Sequence, residues 1–196
     1  MTLSLITSMS LFALAASLSP GPVNLLSLSG SARYGAKVGL RFVSGASIGF
    51  IFLFLIIGLG LQHIMDALPW LTLVLQWLGI AFLFYLSYQL FMDNGDLDAN
   101  SSSAAPTFMT GAIMQWLNPK AWLASVSGIA AYIPEATTDQ VLLFASLYLP
   151  ICWLSLGVWV GIGILLGQYF QSPAKMRAMN KTLAILLAGS CVMILA

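Results

Sequence analysis

Ser19-Pro20-Gly21-Pro22, followed at once by Val23-Asn24, interrupts a run that is otherwise almost wholly apolar from Leu3 to Leu28. A second break, Asn118-Pro119-Lys120, falls inside another apolar run and carries the one Lys or Arg lying well within such a segment. Proline inside a helix costs ~3 kcal/mol, because its N–H is missing and its ring clashes with the preceding turn. In hydrocarbon the freed backbone groups also need partners, so such breaks persist only inside protein or beside a water-filled cavity. Paired breaks in corresponding segments of two halves are the sequence mark of a transport site near the midplane.

The rest of the chain agrees with a membrane setting. It is 60% hydrophobic and 7% charged over 196 residues, with a mean hydropathy of +0.95. A soluble domain carries about 25% charge, so these residues cannot build a water-facing surface. The apolar runs are helix-length rather than short alternating strands, which selects helices over a barrel. A net charge of +1 without any basic run gives nucleic acid nothing to bind. Cys152 and Cys191 sit in apolar segments with neither CxxC spacing nor a nearby histidine, and read as small buried hydrophobes. No metal site and no cofactor are indicated. Leu3 to Ser17, ending in Ala13-Leu-Ala-Ala-Ser17, has some likeness to a signal peptide. No Lys or Arg precedes it and the apolar run continues beyond it, so it is read as the first membrane helix.

Apolar windows give six segments: Leu3 to Ser31, Gly39 to Leu61, Pro69 to Met92, Phe108 to Ile133, Gln140 to Gly167 and Met176 to Ala196. The expected fold is an all-α polytopic membrane protein of six transmembrane helices, helices 1 and 4 broken at proline. One membrane domain then comprises a repeat half 1–92, a linker 93–107 and a repeat half 108–196. An odd number of helices per half makes the two three-helix halves inverted. Pro22-Val-Asn-Leu-Leu-Ser-Leu-Ser-Gly30 faintly echoes Pro119-Lys-Ala-Trp-Leu-Ala-Ser-Val-Ser-Gly128. Arg33, Lys37 and Arg41 lie between the first two segments, and Lys175, Arg177 and Lys181 between the last two. The loops near His63-Asp66 and Glu135-Asp139 have neither Lys nor Arg, so both termini are expected outside. Gly45-x-x-x-Gly49 and Gly157-x-x-x-Gly161 are small-residue faces that let helices approach closely.

A helix restarting after a break exposes unpaired N–H groups that attract an anion. Carbonyls just before the break, around Leu18 and Leu117, are placed to accept from an ammonium group. An amino acid needs that pair of recognitions. Asn24 and Asn118 can each donate and accept, and Ser27, Ser29, Ser125 and Ser127 lie on the same stretches. Lys120 either snorkels to the cytoplasmic interface or faces a cavity and binds a carboxylate, at ~2.5–3.5 kcal/mol near a helix centre. The expected substrate-binding or gating set is therefore Pro20, Gly21, Pro22, Asn24, Asn118, Pro119 and Lys120. His63 and Asp66 read as solvated, Tyr85 and Tyr88 as weaker path-lining candidates, and Trp70 and Trp77 as interface anchors or packing. No intramembrane Asp or Glu is visible in the sequence.

These residues resemble the LysE/RhtB family of amino-acid exporters. Pro20-Gly21-Pro22 with Asn24-Leu25-Leu26 is similar to that family's opening motif. Trp77-Leu-Gly-Ile-Ala-Phe-Leu-Phe-Tyr85-Leu86 is similar to its third helix, and Phe108-x-x-Gly111 leading to Asn118-Pro119-Lys120 to its fourth. The resemblance implies six helices and efflux of amino acids or similar solutes, driven by the proton gradient across a bacterial inner membrane. Three positions depart from the pattern. Gly49-Phe50 stands where many members have Gly-Asp, Val23 where a polar residue follows the prolines, and Gln89-Leu90 where an arginine often stands.

The leading expectation is a secondary exporter of amino acids or related zwitterions, working by alternating access about the two breaks. Its partners are the small-molecule substrate and the lipid bilayer, with a homo-oligomer left open. A non-transporting scaffold or complex subunit is the alternative. An intramembrane enzyme is disfavoured, since the single histidine lies near a helix end and no nucleophile–base pair is evident.

Overall fold

The structure is a computed structural model that describes residues 3–61, 105–133, 137–169 and 172–195, with scattered positions between 74 and 92. Among the described residues seven α-helices have defined bounds, with a π-helical stretch at Ile57–Leu61 following the third: α1 (Leu3–Leu18), α2 (Pro22–Tyr34), α3 (Ala36–Ile56), α4 (Phe108–Trp116), α5 (Pro119–Tyr132), α6 (Thr138–Tyr169) and α7 (Pro173–Leu195). The expected third segment falls largely outside the described residues. So do His63, Asp66, Trp70 and most of the linker.

Both expected breaks are present. α1 ends at Leu18 and α2 restarts with Pro22 in its first turn, the two bent by 58°. α4 stops at Trp116, Asn118 takes an extended backbone as N-cap, and Pro119 opens α5. In both restarts proline sits where its missing N–H would have had no helical partner. The spans Ala36–Gly60 and Thr138–Tyr169 are each long and apolar enough to cross a bilayer, and the bent pair α1–α2 makes a third. Several long apolar helices in an all-helical chain give the architecture of a polytopic membrane protein.

The basic residues lie on helix ends rather than in loops, a difference from the sequence reading. Arg33 is in the last turn of α2, and Lys37 and Arg41 are on α3. One residue, Gly35, joins α2 to α3, and its φ of 82° is open to glycine at little cost. Lys175, Arg177 and Lys181 lie in the first half of α7.

Long α6 packs against α1, α2 and α3, and α3 pairs closely with α4. The last contact is backbone on backbone. A Cβ on Gly45 would collide with the Phe108 carbonyl, one on Gly49 with the Ala112 backbone, and one on Gly111 with the Phe42 carbonyl. Of the two small-residue faces expected from sequence, only the first is used this way among the described residues. Gly157 and Gly161 have no described neighbour within 4 Å of an added Cβ. Instead α6 meets α2 through Gly163 and Gly167, whose added Cβ atoms would strike the Leu28 and Ala32 carbonyls. The Ser31 hydroxyl donates across that contact to the Val160 carbonyl at 3.1 Å. Without a hydrophobic drive between helices in lipid, such close approach carries the association.

An aromatic cluster closes the interior. Tyr148 packs edge-on to Phe50 at 4.6 Å and stacks on Phe144 at 5.6 Å, while Phe12 and Phe54 join the same group. The core therefore spans α1, α3, α5 and α6, and surrounds both breaks.

Gly45→Val and Gly111→Val are each expected to lower thermal stability in detergent by at least the ~1–3 kcal/mol typical of overpacking, because backbone cannot yield as a side chain does. Gly157→Ala is expected to leave the melting temperature unchanged within error.

Candidate functional site

Every carbonyl released at the first break has a donor, and the donors come from four different parts of the chain. The Ala15 carbonyl accepts from the Ser19 N–H at 3.1 Å and the Ala16 carbonyl from the Ser19 hydroxyl at 3.1 Å. The Ser17 carbonyl accepts from Asn24 Nδ2 at 2.9 Å. The Leu18 carbonyl, expected to be available to a ligand, accepts from the Trp159 indole N–H at 3.1 Å. Lys120 Nζ then donates to the Ser19 carbonyl at 2.6 Å and to that of Pro20 at 3.3 Å. The second break is closed more locally. Trp122 Nε1 donates to the Trp116 carbonyl at 2.7 Å, and Asn118 Nδ2 to Gln115 Oε1 at 3.4 Å.

Lys120 thus reaches across to the opposite break while staying half-buried. Of the six acidic residues, the structure describes only Asp139, in the first turn of α6. Among the described residues no carboxylate pairs with the Lys120 ammonium, which is held by neutral carbonyls. Among the described residues, carbonyl dipoles solvate this charge and no counter-charge balances it.

The two restarted helices differ at their amino ends. α5 is capped, since Asn118 Oδ1 accepts from the Lys120 N–H at 3.2 Å. α2 has no side-chain cap, and the Val23 and Asn24 N–H groups find no acceptor among the described residues. Anion recognition by an exposed helix terminus is therefore available at α2 and not at α5. Lys120 lies against this open end, its Nζ 3.2 Å from where a Gly21 Cβ would be.

A small cavity of about 40 Å³ opens between these groups. Asn24, Asn118 and Lys120 of the expected set line it. Gly21 and Pro20 border Lys120, and Pro22 and Pro119 act as helix starts. Its volume suits roughly three waters, at about 10–15 Å³ each, and is too small for an amino acid. The serines expected to line it do not. Ser27 and Ser125 are buried and donate to the carbonyls of Val23 and Ala121 in their own helices, at 2.7 and 2.8 Å. Ser29 is buried, Ser127 is exposed, and neither borders the cavity. Tyr85 and Tyr88 are exposed and lie away from it.

Sequence reasoning passed over Ser17, Gln115, Tyr148 and Cys152, all of which line the cavity. Cys152 is buried in the apolar core as expected, at 3% exposure, and also borders the cavity. A signal for two of these was available: Tyr148 and Cys152 are four residues apart, on one face of an otherwise apolar helix.

The family model for the LysE type translocator matches residues 14–196. The chain belongs to the LysE-type translocator family, and is a multi-pass membrane transporter rather than an enzyme. It is 29% identical over 166 residues to a cysteine/O-acetylserine efflux protein of Klebsiella pneumoniae, covering 80% of this chain and 84% of that one. Its similarity to the cysteine/O-acetylserine efflux protein of Salmonella typhimurium, 24% over 205 residues, covers 99% of both chains. A membrane protein of Vibrio cholerae is 26% identical over 187 residues, 92% of this chain and 90% of its own. No solved structure matches the chain significantly.

Replacing the α5 cap, Asn118→Ala, is expected to cost ~1 kcal/mol of stability, read as a lower melting temperature in detergent. Asn118→Asp is expected to recover most of the loss, since its carboxylate can accept the same Lys120 N–H.

Proposed function

We propose that this chain is a secondary exporter of amino acids or closely related zwitterions, moving them out of the cytoplasm by alternating access about the two broken helices. The observation that carries this reading is the Lys120 ammonium resting on the Ser19 and Pro20 carbonyls. Drawing Lys120 away leaves a cation without acceptors and two carbonyls without a donor. A zwitterion answers both needs at once. Its carboxylate meets Lys120 and the open N–H groups of Val23 and Asn24, and its ammonium takes the carbonyls that Lys120 releases. A plain anion or plain cation satisfies one half only. That the Klebsiella and Salmonella relatives are cysteine/O-acetylserine efflux proteins supports the same class of cargo.

In this reading the substrate-binding and gating groups are Pro20, Gly21, Pro22, Asn24, Asn118, Pro119 and Lys120. Six transmembrane helices form two inverted halves, 1–92 and 108–196 about the linker 93–107, in a bacterial inner membrane with both termini outside. Support for the inversion comes from the matched breaks, each with proline in the first turn of the restarted helix. The proton gradient drives export. The small cavity corresponds to a conformation contracted around its site, and the bend between α1 and α2 is the natural hinge.

In proteoliposomes, the wild-type protein is expected to exchange amino acids across the bilayer, and Lys120→Gln to reduce the initial rate at least about tenfold, the scale of a lost charge-assisted contact. Absence of exchange by the wild type for every amino acid, under an imposed pH gradient or without one, would sink the proposal.

A further inference from the structure

The groups around the cavity fall into two sets. The breaks supply Lys120, Asn24 and the open end of α2, which suffice for the carboxylate and amine shared by every amino acid. α1 and α6 supply a second set that this recognition leaves unused: Ser17, Tyr148 and Cys152. Ser17 lies on α1, Tyr148 and Cys152 lie one turn apart on α6, and all three border the same cavity. Tyr148 is 1% exposed and Cys152 3%, so neither polar atom is served by bulk water.

A tyrosine hydroxyl is costly to bury without use, whereas a thiol buries readily and adds only a weak donor. A core facing only lipid and packing would be as well served by phenylalanine and alanine, and the aromatic contacts of Tyr148 need its ring, not its hydroxyl. The remaining walls narrow the choice of side chain. Ala16, Ala121 and Ala124 leave room for a short substituent, while Phe50 and Leu156 are large and set in the core. Among the described residues no carboxylate lines the cavity to receive a cationic side chain, and the Lys120 charge opposes one.

We infer that Ser17, Tyr148 and Cys152 form a side-chain subsite that selects amino acids whose short neutral side chain carries a hydrogen-bonding oxygen or sulfur. The inference rests on the exporter reading above and adds the residues that set its specificity. Its physical basis is asymmetric discrimination. An apolar pocket separates substrates differing by one group only weakly, whereas a buried hydrogen-bonding site rejects the analogue that leaves its groups unpaired. A hydroxyl, thiol or ester side chain fits this site. Alanine fits by size but leaves the subsite unsatisfied, and lysine and arginine fail on charge and length.

The test is exchange by purified protein in proteoliposomes, comparing serine with alanine, and cysteine under reducing conditions with 2-aminobutyrate, its near-isostere without the thiol. Wild type is expected to prefer the polar member of each pair by about tenfold or more. Tyr148→Phe keeps the packed ring and Cys152→Ala only shortens a small side chain. Each is expected to bring at least one of the two ratios down toward one, whereas Lys120→Gln slows both members alike. A wild type that exchanges amino acids with no polar preference overturns the subsite and leaves the exporter reading standing. Polar preferences unchanged in both α6 variants overturn it as well. A wild type that exchanges no amino acid overturns the exporter reading and the subsite together.

Discussion

A helix broken inside a membrane has to satisfy its own backbone, and that requirement organises this molecule. Between Ala16 and Pro20 five consecutive carbonyls are drawn out of the regular helical pattern, and each has found a donor. The donors are a neighbouring residue, Asn24 across the break, Trp159 from α6 and Lys120 from the second break. In water such carbonyls would simply be solvated. In hydrocarbon each unsatisfied group costs several kcal/mol, so the break holds together only because α2, α5 and α6 converge on it. The site and the fold are the same set of contacts.

That convergence needs helices brought closer than ordinary side chains permit. Gly45, Gly49 and Gly111 let α3 and α4 touch through their backbones, and Gly163 and Gly167 do the same for α6 against α2. The two crossings anchor one half of each broken span. α4 is fixed on α3 and α2 on α6, while α1 and α5 approach through the aromatic cluster. Backbone crossings thus hold α2 and α4, and side-chain packing holds α1 and α5. Lys120 crosses that boundary, since it belongs to α5 and holds the carbonyls joining α1 to α2.

Much of the framework was legible from residue order because its causes are local. Proline's missing N–H placed both breaks, and the resemblance built on Pro20-Gly21-Pro22 and Asn118-Pro119-Lys120 led to the family that the comparison confirms. Locality also marks where such reading stops. Pro150 lies inside α6 and does not end it, although the same missing N–H is at work, so proline by itself did not determine a break. Ser27 and Ser125 looked like site residues through their neighbours, yet each turns back to its own helix. Gly157-x-x-x-Gly161 matched a packing motif as well as Gly45-x-x-x-Gly49 did, but the close backbone crossings run through other glycines of α6.

The sequence by itself determined that this chain is a helical membrane protein with two proline breaks, that a single lysine lies deep among its apolar segments, and which family it resembles. Those properties follow from composition, from backbone chemistry within a few residues and from motif order. Only the tertiary structure decided that the Lys120 ammonium reaches carbonyls a hundred residues earlier in the chain, that α2 rather than α5 keeps an open amino end, and that Ser17, Tyr148 and Cys152 share the cavity with Lys120. Each of these is a meeting of groups distant in sequence. The physical reason is that helix packing fixes which carbonyl meets which donor, and backbone chemistry within one segment carries no record of that choice.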